Sequence, residues 1–252
     1  MSSAGIEIRD LAKRYSPRRG VTVEAIRRMD LTVPAGEFLA IVGPSGCGKS
    51  TLLHLVAGLD PPSSGTVRIG GAAPEELVRR HRLGVAFQDP ALLPWLSVES
   101  NLALPFKLAD RLVDRERVRK LIELVGLKGF ERARPSQLSG GMRQRAAIAR
   151  SLCLQPDVLL LDEPFGALDA VTRRRLNIEL ERIWRDRAIT TMLVTHSVEE
   201  ALFLSDRTIV MESPGAIAHV VQVPFPRPRM PELLRQDEFH RLTDQITLWL
   251  EP

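Results

Sequence analysis

The stretch Leu39-Ala40-Ile41-Val42-Gly43-Pro44-Ser45-Gly46-Cys47-Gly48-Lys49-Ser50-Thr51 decides the fold. Four apolar residues read as a strand, and the glycines after them turn the chain. Lys49–Ala57 then sets Leu52, Leu53 and Val56 on one helical face, with Gly58 at the usual C-terminal stop. Gly43 to Ser50 fits G-x-x-x-x-G-K-[ST] at every fixed position. Glycines there let backbone N–H groups approach phosphate oxygens without a clashing side chain. A helix opening at Lys49 points its positive dipole end at the same anion. Lys49 is expected to reach the β- and γ-phosphates of a nucleotide and the Ser50 hydroxyl to ligate Mg²⁺. The pattern alone matches by chance; a strand before it and a helix after it give it weight.

On either side, short strand-like runs alternate with turns: Ile6–Ile8, Met29–Val33, Phe38–Val42 and Thr66–Ile69, separated by Pro34-Ala35-Gly36 and Pro61-Pro62-Ser63-Ser64-Gly65. Gly84–Phe87, Val158–Leu161 and Thr191–Val194 are further strand candidates. Their apolar runs are continuous, as a parallel sheet buried on both faces requires. Between Phe87 and Val158 the spacing turns helical. Val118, Leu121, Ile122 and Val125 recur on one face, with Asp114 a candidate N-cap and Gly126 a stop. A second helix begins near Ser139 and carries Met142, Ala146, Ala149 and Leu152 on one stripe. The expected organisation is an α/β core over residues 1–88 and 151–222, including an N-terminal antiparallel β subdomain. Residues 89–150 form a helical insert, and the proline-rich tail 223–252 ends in an amphipathic stretch, Pro231–Leu250.

Val158-Leu159-Leu160-Leu161-Asp162-Glu163 reads as a buried strand ending in two acids. Successive strand side chains point opposite ways, so the acids are expected to do different work. Asp162 suits Mg²⁺, and Glu163 suits the polarisation of an attacking water.

Composition bounds the alternatives. The chain has 252 residues, 44% hydrophobic and 26% charged, which is the balance of a folded globular protein. No apolar run nears the ~20 residues that span a bilayer, and the first residues lack a signal peptide's basic and apolar regions. The expected location is the cytosol. The net charge of +4 is a small surplus that a solvated face explains. Two cysteines, Cys47 within the glycine loop and Cys153, are too few for a metal or disulfide framework.

The order and spacing of further motifs resemble those of ABC transporter ATPases over about Ile6 to Glu212. Leu138-Ser139-Gly140-Gly141-Met142 resembles the signature motif, with Met142 in place of the commonest glutamine. Gln88 matches the Q-loop glutamine, Ala167-Leu168-Asp169 the D-loop and His196 the switch histidine. Tyr15 matches the aromatic that stacks on adenine. The resemblance implies the ABC ATPase fold, a P-loop NTPase parallel-sheet core with the two subdomains. It also implies hydrolysis of ATP with Mg²⁺. Glu163, His196 and Gln88 would be catalytic, and Ser50, Gln88 and Asp162 would hold the metal. Tyr15, Gly43, Pro44, Ser45, Gly46, Cys47, Gly48, Lys49, Ser50, Thr51, Ser139, Gly140, Gly141 and Asp169 would bind ATP. In the family the signature serine and glycines bind ATP held by the P-loop of a second copy, in a head-to-tail dimer.

Gln88 to Trp95, Asp162 to Asp169, and the tail from Ser213-Pro214-Gly215 to Pro226-Arg227-Pro228-Arg229 resemble importer ATPases for nitrate, sulfonates and taurine. The implied partners are integral membrane permease subunits docking near Gln88–Trp95 and, indirectly, an extracytoplasmic solute-binding protein. The chain would sit at the cytoplasmic face of the inner membrane. An ABC ATPase acting on DNA or ribosomes would carry a coiled-coil insertion, a zinc module or a second P-loop, and none is present. No nucleic-acid partner is therefore expected. A phosphotransferase would leave Ser139-Gly140-Gly141 and His196 without a role.

Overall fold

The structure is a computed structural model that describes residues 4–16, 21–166, 168–187 and 189–251. Its main sheet has six strands in the order β5-β6-β7-β3-β8-β9. They are β3 (Phe38–Val42), β5 (Leu83–Ala86), β6 (Val158–Asp162), β7 (Thr190–Val194), β8 (Arg207–Glu212) and β9 (Ala216–Gln222). Every residue of β3, β6 and β7 is buried, as their unbroken apolar runs require. Alternate side chains feed two cores. Phe38, Ala40 and Val42 join one cluster with Leu159, Leu161 and Leu193. Leu39 and Ile41 join the other with Val158, Leu160, Met192 and Val194.

The expected parallel core carries one antiparallel strand at its edge. The first five strands pair in parallel, but β9 runs antiparallel to β8 on the edge. No residue of β9 is fully buried, so its sequence lacks the continuous apolar run that marks the other strands. A second sheet, in the order β2-β1-β4, is antiparallel: β1 (Ile6–Tyr15), β2 (Val23–Val33) and β4 (Ser64–Ile69). It covers α1 (Lys49–Val56), and Ile6, Ile8, Leu31 and Val33 share a core with Leu52 and Leu53.

Between β5 and β6 come α3 (Val98–Leu108), α4 (Arg115–Leu124) and α5 (Gly140–Ser151). Asp114 caps α4 by accepting from the N–H of Arg117, and Gly126 ends that helical segment at φ 66°. Val98, Leu102, Val118, Ile122, Ala146 and Ala149 lie in the same cluster as Phe38 and Leu159. The helices thus continue the core of one sheet face instead of enclosing one of their own. The C-terminal segment joins that cluster through Phe225, Leu233, Phe239 and Ile246, the last two on α8 (Asp237–Leu250). Three helices lie outside the sequence expectations: α2 (Pro74–Arg79), α6 (Ala170–Arg187) and α7 (Val198–Leu204). Among the described residues no helix is long and apolar enough to cross a membrane.

Candidate active site

The site forms where parallel strands end and helices begin, the usual crevice of an open α/β sheet. β3 leads into the glycine loop, β6 into Asp162 and Glu163, and β7 into Thr195 and His196. The loop's shape depends on glycine. A Cβ at Gly43 would lie 2.5 Å from the carbonyl oxygen of Met211, and one at Gly48 would lie 2.3 Å from that of Ala25. Gly48 also has φ 109°. Either substitution requires backbone to move. No side chain caps α1 at Gly48, so its first N–H groups remain available to an anion.

Lys49 is 7% exposed and folds back over the loop, donating from Nζ to the carbonyls of Gly43 and Pro44, each at 2.8 Å. The ammonium is thereby held against the loop backbone, where the charge of a phosphate would compensate it. Pro44, Ser45 and Gly46 are exposed, and Cys47 is buried beneath them. Burial pushes the Cys47 thiol up, against the opposing pull of Lys49. Burial also pushes Cys153 up, to about 12. Both thiols are free and protonated at neutral pH.

Ser50 donates from Oγ to Asp162 Oδ1 at 3.1 Å, reaching past β7 from the start of α1 to the end of β6. Burial pushes the Asp162 carboxyl up, and the bond from Ser50 opposes it. A hydroxyl and a buried carboxylate are hard oxygen donors of the kind Mg²⁺ takes. Among the described residues no group of three or more His, Cys, Asp or Glu could enclose a metal. Mg²⁺ is ordinarily held by one or two such oxygen donors together with waters and substrate phosphates.

Glu163 corrects the strand argument. β6 ends at Asp162, and Glu163 turns to φ 44°, although its N–H still donates to Val194 O at 2.8 Å. The two acids diverge because the backbone enters the left-handed region, a rare and costly conformation for a side chain of this size. Its carboxylate accepts from Gln88 Nε2 at 3.3 Å and lies 3.5 Å from His196 Nδ1. Gln88, Asp162, Glu163, His196 and the glycine loop therefore form one chain of contacts.

The remaining candidates stand apart from that chain. Ser139 caps α5, accepting from the N–H of Met142 at 3.2 Å, with Gly140 and Gly141 in the first turn. Among the described residues no hydrogen bond joins Ser139–Gly141 to Gly43–Ser50. Asp169 accepts from the N–H of Thr172 at 2.9 Å before α6, while Ala167 lies outside the described residues. Tyr15, 40% exposed at the end of β1, donates to Asp60 Oδ2 at 2.7 Å, with Lys13 Nζ 4.8 Å from its ring centroid. Thr51 on α1 neighbours the same phenol.

A family profile described as ABC transporter matches residues 26–166, from β2 through the glycine loop and α5 to Asp162 and Glu163. The chain belongs to the ABC transporter family. The aliphatic sulfonates import ATP-binding protein SsuB of Bacillus cereus is 43% identical over 226 residues, 89% of this chain and 88% of that one. The nitrate import ATP-binding protein NrtD of Synechococcus elongatus is 46% identical over 90% of this chain and 84% of its own. The bicarbonate transport ATP-binding protein CmpD of the same species is 41% identical over 91% and 84%. A solved dimer of the ATP-binding cassette MJ0796, in a post-hydrolysis state with ADP and Pi, superposes with a TM-score of 0.80 at 29% identity. It covers 88% of this chain and 100% of that one. The fold is that of the ABC ATPases, and the chain is an ABC-type ATPase.

Within this ABC cassette, two buried amides went unnoticed in the sequence. Gln144 of α5 is 2% exposed and donates to Phe87 O at 3.0 Å, tying the signature helix to the residue before Gln88. Asn101 of α3 is 0% exposed. It accepts from the N–H of Leu93 at 2.8 Å and donates to the carbonyls of Leu93, Leu96 and Ser97, fixing the loop after Gln88. A buried polar residue satisfied several times over was the available signal, but burial is not visible at a lone amide in sequence.

Proposed function

We propose that this chain is the ATP-hydrolysing subunit of an importer for a small solute of the sulfonate, nitrate or taurine class. It would act as a head-to-tail homodimer on the cytoplasmic face of the inner membrane. The observation that carries the reading is the contact chain Gln88–Glu163–His196 beside a complete glycine loop, with Ser139–Gly141 outside it. ATP bound by Gly43–Thr51, with Tyr15 against its base, lacks the donors that Ser139–Gly141 of a second copy would bring. Asp169 would lie at the same junction. Ser50, Gln88 and Asp162 would hold Mg²⁺, whose charge offsets that of the phosphate oxygens. Glu163 accepts a proton from the water attacking the γ-phosphorus, and His196 binds the γ-phosphate. Closure of the dimer completes the site, so turnover is gated by association.

Coupling to the membrane would run through the loop after Gln88. Trp95 is 66% exposed, and Leu93 lines an apolar groove of ≈ 410 Å³ with Val78, Leu83, Leu104 and Leu108. Such a groove along the loop after Gln88 suits a short helix of a permease subunit. The helical residues 89–150 would move as the responding unit, and 223–252 would pack on the core. A solute-binding protein outside the membrane would choose the cargo. The sulfonate, nitrate and bicarbonate named for the relatives are all small anions.

Glu163→Gln keeps the size and polarity of the side chain but removes the base. It is expected to bind ATP with wild-type affinity and lower kcat by roughly 10²–10⁴-fold. Wild-type turnover in that variant removes Glu163 from the base role.

A further inference from the structure

The hydrogen bonds around His196 lead away from the phosphate side into α7. Thr195, 2% exposed at the end of β7, donates from Oγ1 to Glu200 Oε2. The same hydroxyl accepts from the N–H of Ser197 at 3.1 Å, and Ser197 Oγ accepts from the N–H of Glu200 at 3.3 Å. The N–H of Thr195 donates to Ile41 O of β3 at 3.1 Å. These bonds close a ring around the turn that carries His196, whose own side chain stays 58% exposed and faces Glu163. Ser197 alone suffices to cap α7. A carboxylate that is 4% exposed therefore adds a cost that capping does not explain, and an apolar residue would fill its place more stably. Its charged surroundings are Arg173 of α6, which donates to the carbonyls of Phe165 and Leu168, and Glu163, with Arg174 and Glu199 lining the cavity beside it.

We propose that Glu200 is a positioning residue for ATP hydrolysis: by closing the Thr195–Ser197 ring it fixes the backbone that aims His196 beside Glu163. This rests on the reading of His196 as the γ-phosphate contact. A misplacement of about 1 Å at such a group costs up to roughly 10²-fold in rate.

The test is a kinetic cycle on the full chain, measuring kcat and KM for ATP in His196→Ala, Glu200→Ala, the double variant and Glu200→Gln. Each alanine variant is expected to lose about 10- to 100-fold in kcat with KM within about twofold. The double variant should be no slower than the worse single one, because the two act as a unit. Glu200→Gln, whose amide oxygen accepts from Thr195, should restore kcat to within about threefold. Losses that multiply in the double variant, or normal kcat in Glu200→Ala beside an impaired His196→Ala, overturn the role of Glu200. Normal kcat in His196→Ala overturns the reading of His196 and this role with it. Should Glu200→Ala fail to fold, Thr195→Val removes the same donor and takes its place in the cycle.

Discussion

Glu199 and Glu200 are adjacent acids in the first turn of α7, yet one is exposed and the other is 4% exposed. After Ser197 both read from sequence as ordinary first-turn charges, since a capped helix start favours acids whether or not they are buried. Burial pushes the Glu200 carboxyl up to about 7, against the pull of Thr195 and Arg173 and with the push of Glu163. Arg174 and Glu199 line the cavity beside it. Oε1 has no hydrogen-bond partner among the described residues, whereas Oε2 accepts from Thr195. Below the unfolded pKa, near 4.5, the carboxyl is protonated in both states and costs nothing. Between about 4.5 and about 7 the unfolded chain releases the proton while the folded state holds it, and over that window the folded state loses about 3 kcal/mol of stability. The melting temperature of Glu200→Gln, taken relative to the unchanged chain, should therefore rise between pH 5 and pH 8. A difference constant across that range contradicts the raised carboxyl. Glu163 marks a second limit at this scale. Its two-way split from Asp162 was anticipated, but the left-handed turn that produces it leaves no trace in an Asp-Glu pair.

At the scale of elements, α7 is held at its far end by the tail. Arg229 is 2% exposed. It donates to the carbonyls of Leu202, Phe203 and Ser205 at the end of α7, and to that of Phe225. Arg227 donates to Leu204 O, pairs with Asp206 and lies 3.9 Å from the Trp184 ring centroid. The last carbonyls of a helix have no acceptor role inside it, so burying them without Arg229 is costly. Arg229→Ala should lose about 3 kcal/mol, which for a chain of this size lowers the melting temperature by roughly 6–12 °C. A change under about 2 °C by scanning calorimetry contradicts the anchoring role. The strands β3, β6 and β7 were legible because burial on both faces writes an unbroken apolar run. The edge strand β9 was not, since its residues are exposed or half-buried and follow Pro214 and Gly215, which read as the start of the tail. β8 did carry a signal, Ile209-Val210-Met211, which lay just before that tail. α6 has arginines and glutamates over most of its surface, so its apolar stripe of Leu176, Leu180 and Ile183 is narrow.

Across the whole molecule, the glycine loop, Asp162, Glu163, Gln88 and His196 converge within one chain, whereas Ser139–Gly141 cap a helix on the inserted subdomain. The spacing of the motifs made both parts legible, because each is a local loop at a strand end or helix start. Their separation was not legible from spacing, since it depends on how the insert packs on one sheet face through Ala146, Ala149 and Val98. On the proposed reading, a second copy supplies Ser139–Gly141 to ATP. The direct measurement is the solution mass of Glu163→Gln and of Glu163→Gln/Ser139→Arg with saturating ATP, by gel filtration with light scattering. Glu163→Gln should run at twice the 28.1 kDa of one chain, while the double variant should remain at one chain and still bind ATP. Equal dimer formation by both variants contradicts the claim, as does a Glu163→Gln protein that stays monomeric with ATP bound.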